Sequence, residues 1–205
     1  TQRQGSCMKS ASQPLATVLV VDDDCDLADA YAKQLEGRYD IRVANSGEAA
    51  LEKLDDDVDV VLLDRRLPDH SGEDVLATIR SSRYDTRVAL VTGVEPDFDI
   101  IEMDCDDYLV KPIGEKELIE TIERLLTIGE FDHGLRELFS WVSTVATLES
   151  QKDPAELEQS DEYAALRNRI DRLESHMEDL RSSLPPHHLF GVALDHTPQD
   201  ARGRP

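Results

Sequence analysis

At 205 residues the chain is long enough for one domain with an appendage or for two small domains. No apolar run approaches the roughly 20 residues a membrane-spanning helix needs, and three widely spaced cysteines (Cys7, Cys25 and Cys105) form neither a disulfide framework nor a zinc cluster. The net charge of -22, without a basic stripe, gives DNA binding no support, but at high salt the electrostatic drive weakens anyway, so DNA binding stays open. Acid spread over the whole chain instead suits solubility in molar salt, as in halophilic proteins.

Residues 1–14 are polar and lack the apolar centre of a signal peptide, so they read as a flexible tail and the protein as cytoplasmic. From 15 to 128 two textures alternate. Short β-branched runs occur at 17–21, 39–44, 58–63, 87–92 and 107–110. Between them lie stripes at helical spacing: Leu27, Ala28, Tyr31 and Leu35, then Ala49, Ala50 and Leu54, then Val75, Leu76 and Ile79, and finally Leu118, Ile122 and Leu125. The segment between Pro96 and Met103 is weakly marked, and a fifth helix is expected there. Strands alternating with helices imply βαβ units and a parallel sheet covered on both faces. The predicted fold is therefore α/β, a doubly wound five-stranded parallel sheet, with ligands beyond the carboxyl ends of the strands.

After Thr127 the pattern becomes purely helical. Phe131, Leu135, Leu138, Val142 and Val145 predict one helix, and the residue before Pro154 ends it. A second helix is predicted from about Ala155 to Leu184, stopped by Pro185-Pro186. Residues 130–184 thus form a helical module, and 185–205 a loose tail. Within the second helix, Tyr163, Leu166, Ile170, Leu173, Met177, Leu180 and Leu184 make a heptad seam. In a parallel homodimer through 163–184, Glu162 would face Arg167 and Arg169 would face Glu174. The alternative is an antiparallel hairpin with the preceding helix; the seam's length leaves both open.

The chemistry lies where the acids fall relative to the strands. Asp22 and Asp23 follow the first run, Asp64 follows the third, Thr92 ends the fourth and Lys111 the fifth. Right-handed crossovers bring all five to one sheet edge. One aspartate among 26 is ordinarily a solvated surface charge; three carboxylates in one crevice need protons or a cation. A hard divalent ion such as Mg²⁺ takes such oxygen ligands. A carboxylate can also attack phosphorus, with Lys and Thr meeting the phosphoryl oxygens.

The stretches VLVVDDD (18–24), LLDRRLPDHSG (62–72), VTG (91–93) and DDYLVKP (106–112) resemble the ordered signature of response-regulator receiver domains. The resemblance implies a flavodoxin-like receiver fold in which Asp64 is the phosphoacceptor, charged by a sensor histidine kinase. It implies that Mg²⁺ is held by Asp22, Asp23, Asp64 and the backbone carbonyl of Arg66. Thr92 would meet the phosphoryl group, Lys111 would pair with Asp64, Tyr108 would be the switch aromatic, and the Lys111–Pro112 bond would be cis. Such a protein is a phosphorylation switch and not an enzyme. Pro68 and Gly72 fit the family pattern. Asp104 departs from it, standing where a turn glycine is usual, a position Asp tolerates. Arg65 and Arg66 depart from it as well. Residues 130–184 are similar to the HalX domain of haloarchaeal regulators, a likeness that says little about output; the leading reading is a switch whose helical module couples it to a transcriptional or protein-interaction target. Two other readings stay open: a haloacid-dehalogenase-type phosphatase using Asp22 of VVDDD, and a phosphorylation-independent dimerising adaptor.

Overall fold

The structure, a computed structural model, describes residues 15–82, 84–93 and 103–184. The tails 1–14 and 185–205 lie outside the described residues, as does the helix expected after Pro96. The chain divides into two compact units, 1–115 and 116–205.

The first unit holds β1 (Thr17–Val21), α1 (Cys25–Leu35), β2 (Asp40–Ala44), α2 (Gly47–Lys53), β3 (Val60–Asp64), α3 (Gly72–Ser81), β4 (Arg87–Thr92) and β5 (Asp107–Val110). All strand pairs are parallel, in the order β2-β1-β3-β4-β5. This is the predicted doubly wound sheet. β1 and β3 are buried along their whole length, as continuous Val/Leu runs demand of strands covered on both faces. Leu19, Val61, Leu63, Val88 and Leu90 form the centre of one core layer, closed by Val75, Leu76 and Ile79 of α3.

Each helix starts at the strand-end edge on a side-chain cap. Asp24 accepts from Asp26 N and Leu27 N at the head of α1, and Ser46 accepts from Ala49 N at the head of α2. Ser71 and Asp74 form a reciprocal capping box on α3. The caps fix where each chain reversal ends, and so where the residues beside them point.

The second unit is helical. α4 runs unbroken from Glu115 to Gln151, where the sequence reads as two helices around Thr127. Gly129 and Gly134 do not interrupt it; an isolated glycine costs helix stability but leaves the backbone ladder intact. Gly134 has a packing reason, since a Cβ there would meet the Met177 side chain at 3.3 Å. The second predicted helix is also corrected, because it is split into α5 (Pro154–Glu158) and α6 (Asp161–Ser183). Ser160 makes the break by capping α6 through Tyr163 N, at 3.1 Å.

α4 and α6 pack antiparallel. The Tyr163 hydroxyl donates to Glu149 at 2.6 Å, His176 meets Glu130 at 2.9 Å, and Met177 lies on Gly134. Residue numbers fall along α4 as they rise along α6. The heptad seam, with Ile170 and Met177 buried, therefore packs within the chain, which is the hairpin alternative. Arg167 turns over the Tyr163 ring and toward Glu149.

Candidate functional site

β1 delivers Asp22 to the sheet edge. Its amide still continues the ladder to Ala44 O at 3.1 Å, and the residue is only 2% exposed. Its Oδ1 accepts from Asp24 N, so one carboxylate oxygen is oriented by the cap of α1. Asp23, next in the turn, is exposed. β3 delivers Asp64 as its last residue, one residue deeper in the strand than the sequence suggests. Asp64 is 7% exposed, and its Oδ1 accepts from Arg66 N at 2.9 Å. Thr92 ends β4 fully buried, and its carbonyl accepts from Lys111 N at 2.8 Å. The Lys111–Pro112 bond is cis.

The Lys111 ammonium then closes the site. It donates to Asp22 Oδ2 at 2.6 Å and to Asp64 Oδ2 at 2.5 Å. Carboxylate oxygens of Asp22, Asp23 and Asp64 all lie within 4.8 Å of one another, close enough to share one cation. Burial pushes the Asp22 carboxyl above the ordinary carboxylate range, and the bond from Lys111 draws it only partly back. On Lys111, burial works against the charge, but the bonds from Asp22 and Asp64 together outweigh it and hold the ammonium above the usual lysine value. The site is thus a crevice with acid in excess over its one ammonium, suited to a small cation and to an anion that shares it.

Gly72 shows why the loop after Asp64 has its length. A Cβ on Gly72 would stand 2.4 Å from the Asp64 carbonyl oxygen and 2.8 Å from Arg65 Cα. Only glycine lets α3 start against the backbone of Asp64. Its amide donates to Arg65 O at 2.9 Å, which closes the turn. Tyr108 is half-buried beside the core layer. It pairs in register with Leu90, as Val110 does with Thr92, so Tyr108 and Thr92 stand on the same face of the sheet.

Of the departures, Asp104 needs no left-handed backbone, since no non-glycine among the described residues has positive φ. Its carbonyl instead accepts from Arg80 Nε at 2.7 Å. Arg65 pairs with Glu73 at 2.9 Å, while Arg66 is exposed. Cys25 and Cys105 are free thiols.

Three residues escape the sequence reading. Asn45 Nδ2 donates to the Asp22 carbonyl at 3.1 Å; its place just after β2 was the available signal. Asp69 accepts from Gly47 N and Glu48 N at the head of α2, which holds its carboxyl at about 2. This ties the loop after Asp64 to the neighbouring helix. Asp106 takes Arg80 at 2.5 Å, Arg87 at 2.9 Å and Val88 N at 2.7 Å, and no spacing rule announces that cluster.

This sheet order with an acid pair, an acid, a threonine and a lysine at successive strand ends defines a receiver. The family profile described as the response regulator receiver domain matches residues 18–123, and the chain belongs to that family. The HalX domain profile matches residues 127–194. A Haloferax volcanii protein described as a candidate transcriptional regulator is 50% identical over 162 residues, which is 78% of this chain but 28% of that protein. The chain therefore spans less than a third of that relative's length. A receiver domain protein (CheY-like) of Methanospirillum hungatei has a similar structure, with TM-score 0.53 and 28% identity over 57% of this chain and 97% of that one. The response regulator TrrA of Thermotoga maritima, solved in complex with Mg²⁺-BeF, has TM-score 0.50 and 32% identity over 55% of this chain and all of that one. Among the described residues no helix is long and apolar enough to cross a membrane.

Proposed function

We propose that this chain is a phosphorylation switch of a two-component system, with Asp64 as phosphoacceptor. The observation that carries the reading is Lys111 clamped between Asp22 and Asp64 at the strand-end edge, with Thr92 ending the adjoining strand. In the proposed step a carboxylate oxygen of Asp64 attacks the phosphorus of a kinase phosphohistidine. The O–P bond forms, the N–P bond breaks, and the imidazole nitrogen keeps the electron pair and takes up a proton. Lys111 balances charge on the acyl phosphate. The Thr92 hydroxyl hydrogen-bonds a phosphoryl oxygen, and Tyr108, on the same face, follows it.

The cluster of three carboxylates fits Mg²⁺, which Asp22, Asp23, Asp64 and the Arg66 carbonyl would hold; bound there, it would neutralise charge on the transferring group. Asp22 and Asp64 are preset for this by their amide bonds, which turn one oxygen of each to the backbone. The partner is a sensor histidine kinase, and the setting the cytoplasm. The chain is a switch that is charged and discharged, not a multiple-turnover enzyme. Output runs through the helical module of α4 and α6 to a transcriptional or protein target.

Intact mass after treatment with a small phosphodonor and Mg²⁺ tests the reading. A labile phosphoryl adduct on the wild type, lost in Asp64→Asn, is expected. An adduct on Asp22, or none on a folded protein, would overturn it.

A further inference from the structure

Among the described residues the hairpin leaves a second apolar stripe uncovered. Phe139 is 60% exposed and Val142 45% exposed, on the part of α4 whose Val145 is buried. Leu135 and Ala146 extend the stripe, Leu135 half-buried and Ala146 exposed. Their spacings of four, three and four place all four within about 60° of one another on a helix turning about 100° per residue. The side of α4 that meets α6 is a different one, marked by Gly134 against Met177.

The charge pattern bears on the same place. No Asp, Glu, Lys or Arg occurs from Leu138 to Leu148, in a chain that is 32% charged. The neighbours flanking the stripe there are Ser140, Ser143 and Thr147. A nucleic acid or a charged peptide would find no countercharge on this face. A second copy needs none: each copy carries -22, and through this window two such surfaces can approach without setting acid against acid.

The stripe is also complementary to itself. In an antiparallel pair centred between Ser140 and Trp141, Leu135 lies opposite the partner's Ala146 and Phe139 opposite the partner's Val142. Each large side chain meets a smaller one, so the layers interdigitate. A parallel pair sets Phe139 on the partner's Phe139 and Ala146 on the partner's Ala146, crowding one layer and emptying another. We propose that the Leu135–Phe139–Val142–Ala146 face of α4 is the contact between two copies of this chain, paired antiparallel about a two-fold axis. The α6 seam, engaged with α4 in its own chain, takes no part.

Sedimentation velocity of the full chain over a dilution series, at fixed high KCl, measures the association. The wild type is expected to give the mass of two chains and to dissociate on dilution. Phe139→Glu should weaken the dimer roughly a hundredfold, since it places a carboxylate in an apolar contact. Thr144→Glu, on a side of α4 away from both stripes, should leave it unchanged. Circular dichroism of Phe139→Glu should match the wild type, which separates lost association from lost folding. Direction is read in a background with Cys7, Cys25 and Cys105 replaced by Ser. Mixed Phe139→Cys and Val142→Cys chains should oxidise to the cross-linked heterodimer in preference to either homodimer. A single-chain mass at every concentration, a Phe139→Glu dimer as tight as the wild type, equal damage from Thr144→Glu, or predominant linkage between two Phe139→Cys chains would each overturn the proposal.

Discussion

Replacing Lys111 with Met removes the one cation bonded to both Asp22 and Asp64 while keeping most of the side chain's length. The Lys111 side chain is 18% exposed, and those of Asp22 and Asp64 are 3% and 9% exposed. Removing one partner of a buried ion pair costs about 3–5 kcal/mol. The partial exposure of Lys111 places the loss near the lower end, about 3 kcal/mol. With a urea slope of about 2 kcal/mol/M, the unfolding midpoint should fall by roughly 1.5 M in metal-free buffer. The pH dependence carries the sign. Asp22 is raised by burial, so its charge costs stability progressively as pH climbs from the ordinary carboxylate value through its raised one. Lys111 is raised as well, so its contribution is complete below the ordinary lysine value and is lost as pH rises through its higher folded value. The deficit of the variant should therefore be largest at neutral and mildly alkaline pH and shrink on acidification, as Asp22 takes up a proton. Excess Mg²⁺ should recover part of it by supplying the missing positive charge. Urea titrations of both proteins across pH, with and without Mg²⁺, measure all three effects. A variant as stable as the wild type in metal-free buffer at neutral pH, or a deficit flat with pH, would refute the reasoning.

Two further substitutions test the frame around the site. Gly72→Ala sets a Cβ against the Asp64 carbonyl and Arg65 Cα, both backbone and unable to swing aside, so a loss of about 1–3 kcal/mol in urea unfolding is expected. A loss inside the error of the titration would show that the loop relaxes. Asp106→Ala strips two arginines and the Val88 amide of a carboxylate that is 14% exposed, for a loss of about 3 kcal/mol. Asp104→Ala, whose carboxylate is 80% exposed and 3.7 Å from Arg80, should change stability by under about 0.5 kcal/mol. Equal effects at 104 and 106 would remove the distinction between the two acids.

That distinction also shows what a sequence can carry. Asp22, Asp64, Thr92 and Lys111 were legible because each sits at the end of a β-branched run, and parallel topology sends all such ends to one edge. The rule needs no partner to be named. Asp106 and Asp69 obey no such rule. Asp106 binds residues 26 and 19 positions away in the chain, and Asp69 binds amides 22 and 21 positions away. Their partners are set by how loops close, which periodicity does not encode. Asn45 falls between these cases. It follows β2 on the same edge and could have been included by the rule that found Asp22, but an amide carries no charge to draw notice.

The helical unit was legible in pattern and ambiguous in pairing. A heptad seam records that an apolar stripe must be covered, without saying by what. Gly134 decides it here: in a helix the residue is a cost, yet any Cβ there would meet the Met177 side chain at 3.3 Å. A glycine on one helix facing a methionine on the next, 43 positions along the chain, is a signature of close approach within a hairpin. The same logic turns attention to Phe139 and Val142. Once α6 lies on the Gly134 side, their exposure cannot be relieved by α6, and the uncharged window that contains them sets what can relieve it. The acidity that keeps acidic surfaces apart is missing at that face, so a surface of the same composition can approach there.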